Sequence, residues 1–315
     1  MTAADRPVLS VILTVVDGAE ALRRCLGALL VQQTAPAMEI LVPFDSSVPS
    51  VASIVAETTR DRQDALVRCL DLGHIASTRR SAHSSAAQHE LVDRRRAAGL
   101  AAAQGNLIAI VEDRGVPRPD WASTACRLHR EHPGQVIGGA IENGRDTTLS
   151  WAVYLCDFAR YQRPFAAGPR RYVSDVNVVY KRQAIEDTRE IWRARFHEPW
   201  VHAALERNGQ TLFLSPDLVV DQVRDDLGLG GLIRGRLAWG RLFGALRARH
   251  ASGLRRLAWV VSSPVVPAVL LARILRGRRA KPPAAGRMLT VVPATILLLA
   301  AWAAGEAMGS VSADP

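Results

Sequence analysis

Residues 8–16, VLSVILTVV, run almost unbroken through apolar and β-branched side chains and stop at Asp17-Gly18. The run is too short to cross a membrane, and it reads as a strand covered by helices on both faces. The same pattern recurs at residues 38–44 (MEILVPF), 65–70 (ALVRCL) and 107–111 (LIAIV). Between the first two, Ala21, Leu22, Cys25, Leu26, Leu29 and Leu30 fall at helical spacing, and residues 51–62 and 90–104 also read as helices. Strand alternating with helix predicts an α/β fold, a mostly parallel, Rossmann-like sheet flanked by helices.

In sheets wound this way, ligands bind beyond the carboxyl ends of the strands. Asp17 follows the first run, Asp45 the second, and Glu112 and Asp113 the fourth. Singly, each is an ordinary cap or turn former. Together they mark one edge of the sheet. Carboxylates there suit a divalent cation, Mg²⁺ or Mn²⁺, shared with a nucleoside diphosphate. Arg114, the next residue, would repel a metal yet could grip a diphosphate bidentately. Both readings stand at this level.

The second half is mixed. Residues 135–142 (QVIGGAIE) read as a strand in which Gly138-Gly139 permits close backbone approach, and 149–162 read as helix. Residues 170–185 read as a strand leading into a helix, and 211–220 as a bent strand or strand pair. Residues 199–209 carry Pro199 at a helix start and Gly209 past its end. No internal repeat is visible. His74, His83 and His89 lie on a polar stretch and read as solvated.

From Asp225 the composition changes, which divides the chain into a catalytic-type domain (1–224), a basic amphipathic interfacial region (225–256) and a membrane segment (257–315). Residues 257–275 are long enough to span, but two prolines and Arg273 favour an in-plane or re-entrant path. Residues 288–311 read as the one true crossing, with Trp302 as an interfacial anchor. Forty Lys and Arg against thirty Asp and Glu give a formal charge of +10, and thirteen of the basic residues fall between Arg234 and Arg287. They flank apolar runs, which suits a membrane surface and not a nucleic acid. Cys25, Cys69, Cys126 and Cys156 show no metal-ligand spacing and read as buried reduced thiols of a cytosolic domain.

Five blocks, in order, resemble the large family two of inverting nucleotide-sugar glycosyltransferases with the GT-A fold. They are LSVILTVVDGAEALRRCLGALLVQ, EILVPFDSS, RRRAAGLAAAQGNLIAIVEDRGVPRPDWA, SDVNVVYKRQAI and FHEPWVHAALERNGQTLFLSPDLVV, across residues 7–224. The resemblance implies that Asp17, Asp45 and Arg96 line the nucleotide site. It implies that Glu112, Asp113 and Arg114 stand at the metal motif, with Glu112 and Asp113 as ligands and Asp113 and Arg114 near the diphosphate. Glu198 matches the general base, with His197 in place of the preceding acid. Phe44 replaces the first of the family's paired aspartates, and Gln222 stands where a histidine is common. Asn177 and Trp200 are implied at the sugar or acceptor, Trp200 by a flat apolar face that packing alone would also explain; Trp121 reads more simply as packing.

The expected function is sugar transfer from a nucleoside-diphosphate sugar to a lipid or lipid-linked glycan, at the cytoplasmic face of the inner membrane, with no nucleic-acid partner. The alternative is a catalytically inactive nucleotide-sugar-binding membrane scaffold, suggested by Phe44 and Arg114.

Overall fold

The computed structural model describes residues 6–16, 18–62, 65–77, 85–225, 227–249, 251–277 and 285–312. The first run forms β1 (Leu9–Thr14), followed by α1 (Ala19–Leu30), β2 (Met38–Phe44), α2 (Val51–Thr58), β3 (Leu66–Asp71), α3 (Ser85–Ala102) and β4 (Leu107–Glu112). Every residue of β1 is buried, and α1 turns inward Ala21, Leu22, Cys25, Leu26 and Leu29, five of the six that its spacing picked out. Each fully buried Leu or Ile contributes about 1.5–3 kcal/mol relative to exposure.

The chain continues through β5 (Gly115–Pro117), α4 (Trp121–Glu131), β6 (Val136–Asn143), α5 (Thr148–Asp157), β7 (Gly168–Arg170), β8 (Asn177–Lys181), α6 (Arg182–Asp187), the helical turn α7 (Arg189–Trp192), α8 (Glu198–Arg207) and β9 (Leu212–Gln222). Helices α9 (Leu229–Ala248), α10 (Gly253–Ser262), α11 (Val266–Gly277) and α12 (Met288–Ser312) complete it. Nine strands among the described residues share one sheet, ordered β3-β2-β1-β4-β8-β6-β9-β5, with β7 on β9. The four strands of the alternating half are parallel. β8 then enters antiparallel to β4, with Asn177 opposite Val111. The start of β8 therefore lies at the same edge as the carboxyl end of β4. That reversal brings residues far along the chain to the acidic edge.

The opposite edge is closed by a buried polar knot. Ser10 Oγ donates to Glu39 Oε1 at 2.6 Å, and the Gln104 amide donates to the same carboxylate at 2.7 Å. The Gly105 amide donates to Ser10 Oγ at 2.7 Å, and Arg68 pairs with Glu39 at 3.3 Å.

Contacts divide the chain into two compact units: residues 1–78, 88–142 and 164–223, and residues 79–87, 143–163 and 224–315. Thus 143–163, which carries α5, clusters with the C-terminal helices and not with the sheet. In the second unit α9 and α12 pack at glycine faces. A methyl group on Gly240 or Gly244 would strike α12 backbone, and one on Gly305 or Gly309 would strike α9 backbone. Arg247 pairs with Glu306 at 2.8 Å and lies 3.7 Å over the Trp259 ring. All four cysteines are free; Cys25 and Cys126 are buried and Cys156 partly so, but Cys69 is exposed because the edge strand β3 leaves that face uncovered.

Candidate active site

Two adjacent arginines of α3 organise the acidic edge. A helix turns about 100° per residue, so neighbours address different strands. Arg95 reaches β1 and β2: its Nε donates to Asp45 at 2.6 Å, one terminal nitrogen to the Val15 carbonyl at 2.9 Å, and the other to Ser47 Oγ at 2.7 Å. The Ser47 amide donates to the other Asp45 oxygen at 2.7 Å. Burial pushes the Asp45 carboxyl up, but Arg95 and Ser47 outweigh it and leave the group below its ordinary range.

Arg96 faces β4 and β8. It pairs with Glu112 at 2.8 Å, with Asp175 at 2.5 Å and with Asp93 at 3.8 Å, and only 3% of it is exposed. Burial alone would favour its neutral form; the three carboxylates more than offset that and hold it charged. Burial raises the Glu112 carboxyl despite Arg96. Asp93 is pushed up to about 7, by burial first, with Arg96 opposing and Asp175 adding.

Asp113 is wholly buried. One of its oxygens accepts from the Val16 and Gly18 amides at 3.0 and 3.1 Å, and its own amide donates to the Thr14 carbonyl. It therefore closes the loop after β1, which needs Gly18 at φ 100°. Asp17 lies outside the described residues. Arg114 is half-buried, with its charge felt at Glu112.

Glu198 is the first residue of α8, with Pro199 behind it, so the helix N-terminus favours its anionic form. The Phe196 amide donates to the Asp93 carbonyl at 3.0 Å, which ties this helix start to α3. Glu198 Oε2 accepts from the Tyr172 hydroxyl at 2.5 Å, while Oε1 is buried with no hydrogen-bond partner among the described residues. Burial, reinforced by the charge of Asp175, raises the carboxyl well above its usual range, with the Tyr172 hydroxyl, Arg96 and the backbone amide of Asp175 opposing. Trp200, two residues further on, stands half-exposed, with Arg195 5.0 Å over its ring and His197 against its edge.

Glu112, Arg96, Asp175 and Glu198 thus meet at the β4–β8 edge, and Asp45 sits at the β1–β2 edge beside Arg95. Two residues expected at the ligand make buried contacts within the protein. Arg96 lies among the carboxylates of Asp93, Glu112 and Asp175. Asn177 is wholly buried; its amide donates to the Ala140 and Leu218 carbonyls at 2.9 Å each and its oxygen accepts from Trp121 Nε1 at 2.9 Å, so it locks three elements together. Sequence reasoning missed Arg95, Asp93 and Tyr172. The run Arg94-Arg95-Arg96 was the only signal for the first, and Tyr172 gave none.

No family model matches the chain, and no curated protein matches it. Solved structures do. Residues 1–349 of TarS from S. aureus, in complex with UDP-GlcNAc, superpose with TM-score 0.51 at 15% identity, over 78% of this chain and 67% of that one. The mannosyltransferase PcManGT from Pyrobaculum calidifontis, in complex with GDP-Man and Mn²⁺, superposes with TM-score 0.55 at 14% identity, over 94% and 86%. The fold is GT-A.

A divalent cation is compatible with the GT-A fold, since one of these neighbours holds Mn²⁺. The described residues do not fit one as they stand. Glu112 is already paired with Arg96, Asp113 is sealed against loop amides, and Arg114 adds positive charge beside them. Among the described residues no cluster of three or more His, Cys, Asp or Glu side chains is placed to hold a metal.

Proposed function

We propose that this protein is an inverting glycosyltransferase that moves a sugar from a nucleoside-diphosphate sugar to a lipid or lipid-linked glycan at the cytoplasmic face of a membrane. The GT-A fold and the nucleotide sugars held by both solved neighbours support the donor class. The observation that carries the reading is Glu198: a buried carboxylate at a helix N-terminus, with one oxygen unpartnered among the described residues, linked through Asp175 and Arg96 to the end of β4. A carboxylate so placed can take the acceptor's hydroxyl proton as that oxygen attacks the anomeric carbon opposite the departing diphosphate. Two helical stretches, Gly253–Ile274 and Met288–Ser312, are long and apolar enough to cross a bilayer, and this supports a membrane-bound acceptor.

The test uses full-length protein, a panel of UDP- and GDP-sugars, and vesicles of bacterial lipid extract, with nucleoside diphosphate release as readout. Glu198→Gln is expected to cut turnover by about 10²–10⁴-fold while thermal stabilisation by the donor is retained. Wild-type turnover in that variant would remove Glu198 as the base.

A further inference from the structure

The two oxygens of Glu198 are not equivalent. Oε2 is held by the Tyr172 hydroxyl at 2.5 Å; Oε1 is buried and has no hydrogen-bond partner among the described residues. Tyr172 is itself fixed, its ring edge-on to His202 at 5.5 Å, and His202 Nε2 lies 2.9 Å from the Tyr180 hydroxyl. His202 is one turn after Glu198 on α8, so the ring that clamps the carboxylate rests on the helix that carries it. A buried carboxylate oxygen left without a donor is costly unless a ligand completes it.

We propose that Tyr172 is a positioning residue for Glu198, holding Oε2 so that Oε1 is the oxygen that receives the acceptor proton. The inference rests on the reading of Glu198 as the base. In the step it serves, the acceptor O–H proton passes to Oε1 and the hydroxyl oxygen forms the new bond to the anomeric carbon. The bond from that carbon to the diphosphate oxygen breaks, and its electron pair leaves with the diphosphate. Tyr172 keeps its proton throughout. Its hydroxyl stabilises the carboxylate before transfer and fixes the rotation of the carboxyl group, so that one oxygen faces the incoming hydroxyl.

Tyr172→Phe keeps the ring against His202 and deletes only the donor. Infrared titration of full-length protein, with the Glu198 carboxylic-acid band assigned by its loss in Glu198→Gln, reads the effect without turnover. The protonation midpoint is expected to rise by about one pH unit or more, because a hydrogen bond to the charged form is lost. Incorporating 3-fluorotyrosine at 172, a stronger donor, is expected to lower it. In the turnover assay Tyr172→Phe is expected to reduce kcat by about tenfold, shift the acid limb of the pH profile to higher pH and leave the donor KM unchanged. An unmoved midpoint in both variants, or a donor KM change with kcat intact, overturns the proposal. Loss of the base reading shows separately, as wild-type turnover in Glu198→Gln.

Discussion

Arg96 balances more negative charge than any other single residue of the site. Glu112, Asp175 and Asp93 all lie within 4 Å of its guanidinium, in surroundings where water contributes little. Removing one partner from a buried ionic cluster costs about 3–5 kcal/mol, chiefly because the remaining charges are stranded. Arg96→Met is therefore expected to lower stability by an amount of that order at pH 8. The sign of its pH dependence follows from Arg96's effect on its neighbours, since it holds the Asp93 and Glu112 carboxyls below where burial alone would put them. A carboxyl whose folded-state value is raised binds its proton more tightly in the fold, so stability falls as pH rises through that range. Asp93, at about 7, spans pH 4 to 7 even in the wild type, and without Arg96 its range widens upward. The deficit of Arg96→Met should be smaller at pH 5 than at pH 8 in paired thermal melts. An equal deficit at both would mean that the guanidinium acts by packing alone. At this scale the sequence revealed residue types at strand ends but not their partners. The choice between Arg95 and Arg96 for Asp45 is made by the turn of α3, which no composition records.

Elements were legible where a pattern was long enough to repeat. The four parallel strands each end in an acidic or polar break, and all four were readable. β5 and β7 have three residues each, too few for any periodicity, and both form only because β9 offers a backbone ladder to each. The stretch read as a bent strand or pair is the single eleven-residue β9. Glu39, within the run read as the second strand, is wholly buried, because Ser10, Gln104 and Arg68 supply its donors from three other segments. Gly139 was readable as a site of close approach, and the structure supplies the neighbour: a methyl group there would collide with the Asn177 amide and the Leu218 carbonyl. Gly139→Ala is expected to cost about 1–3 kcal/mol, or more where backbone must shift, seen as a lower Tm. Gly27→Ala on α1, where the added methyl meets nothing within 4 Å, is expected to stabilise by about 0.5–1 kcal/mol. A Tm unchanged by Gly139→Ala would show that the β6 contact with Asn177 can relax without loss.

For the whole molecule, sequence composition separated a sheet-forming part from a basic, apolar C-terminal part, but the path of the latter depends on packing. Residues 288–311 read as a crossing because they are long and nearly uncharged. In the folded second unit, however, α12 lies against α9 at Gly240, Gly244, Gly305 and Gly309, and Trp302 stacks towards Phe243 at 5.8 Å. A crossing α12 would carry α9 with it, including the exposed Arg234 and Arg241, at about 3 kcal/mol for each guanidinium near the bilayer centre. The stretch 253–274 differs, for none of it is buried, and Leu254, Leu257, Val261, Val265 and Val269 form one exposed apolar stripe along it. Were α12 to keep its α9 contacts at a bilayer, that stripe would lie in one leaflet and both ends of α12 would stay on the side from which the protein binds. In a Cys69→Ser background, which removes the exposed native thiol, Arg23→Cys, Arg287→Cys and Val311→Cys should then all label with an impermeant maleimide from the face of sealed vesicles to which the protein binds. Labelling of Val311→Cys from the opposite face alone would mean that α12 crosses and that α9 separates from it on insertion. Labelling of Arg287→Cys from the opposite face would mean that the stretch 253–274 crosses as well, against the positive charge between Arg273 and Arg287.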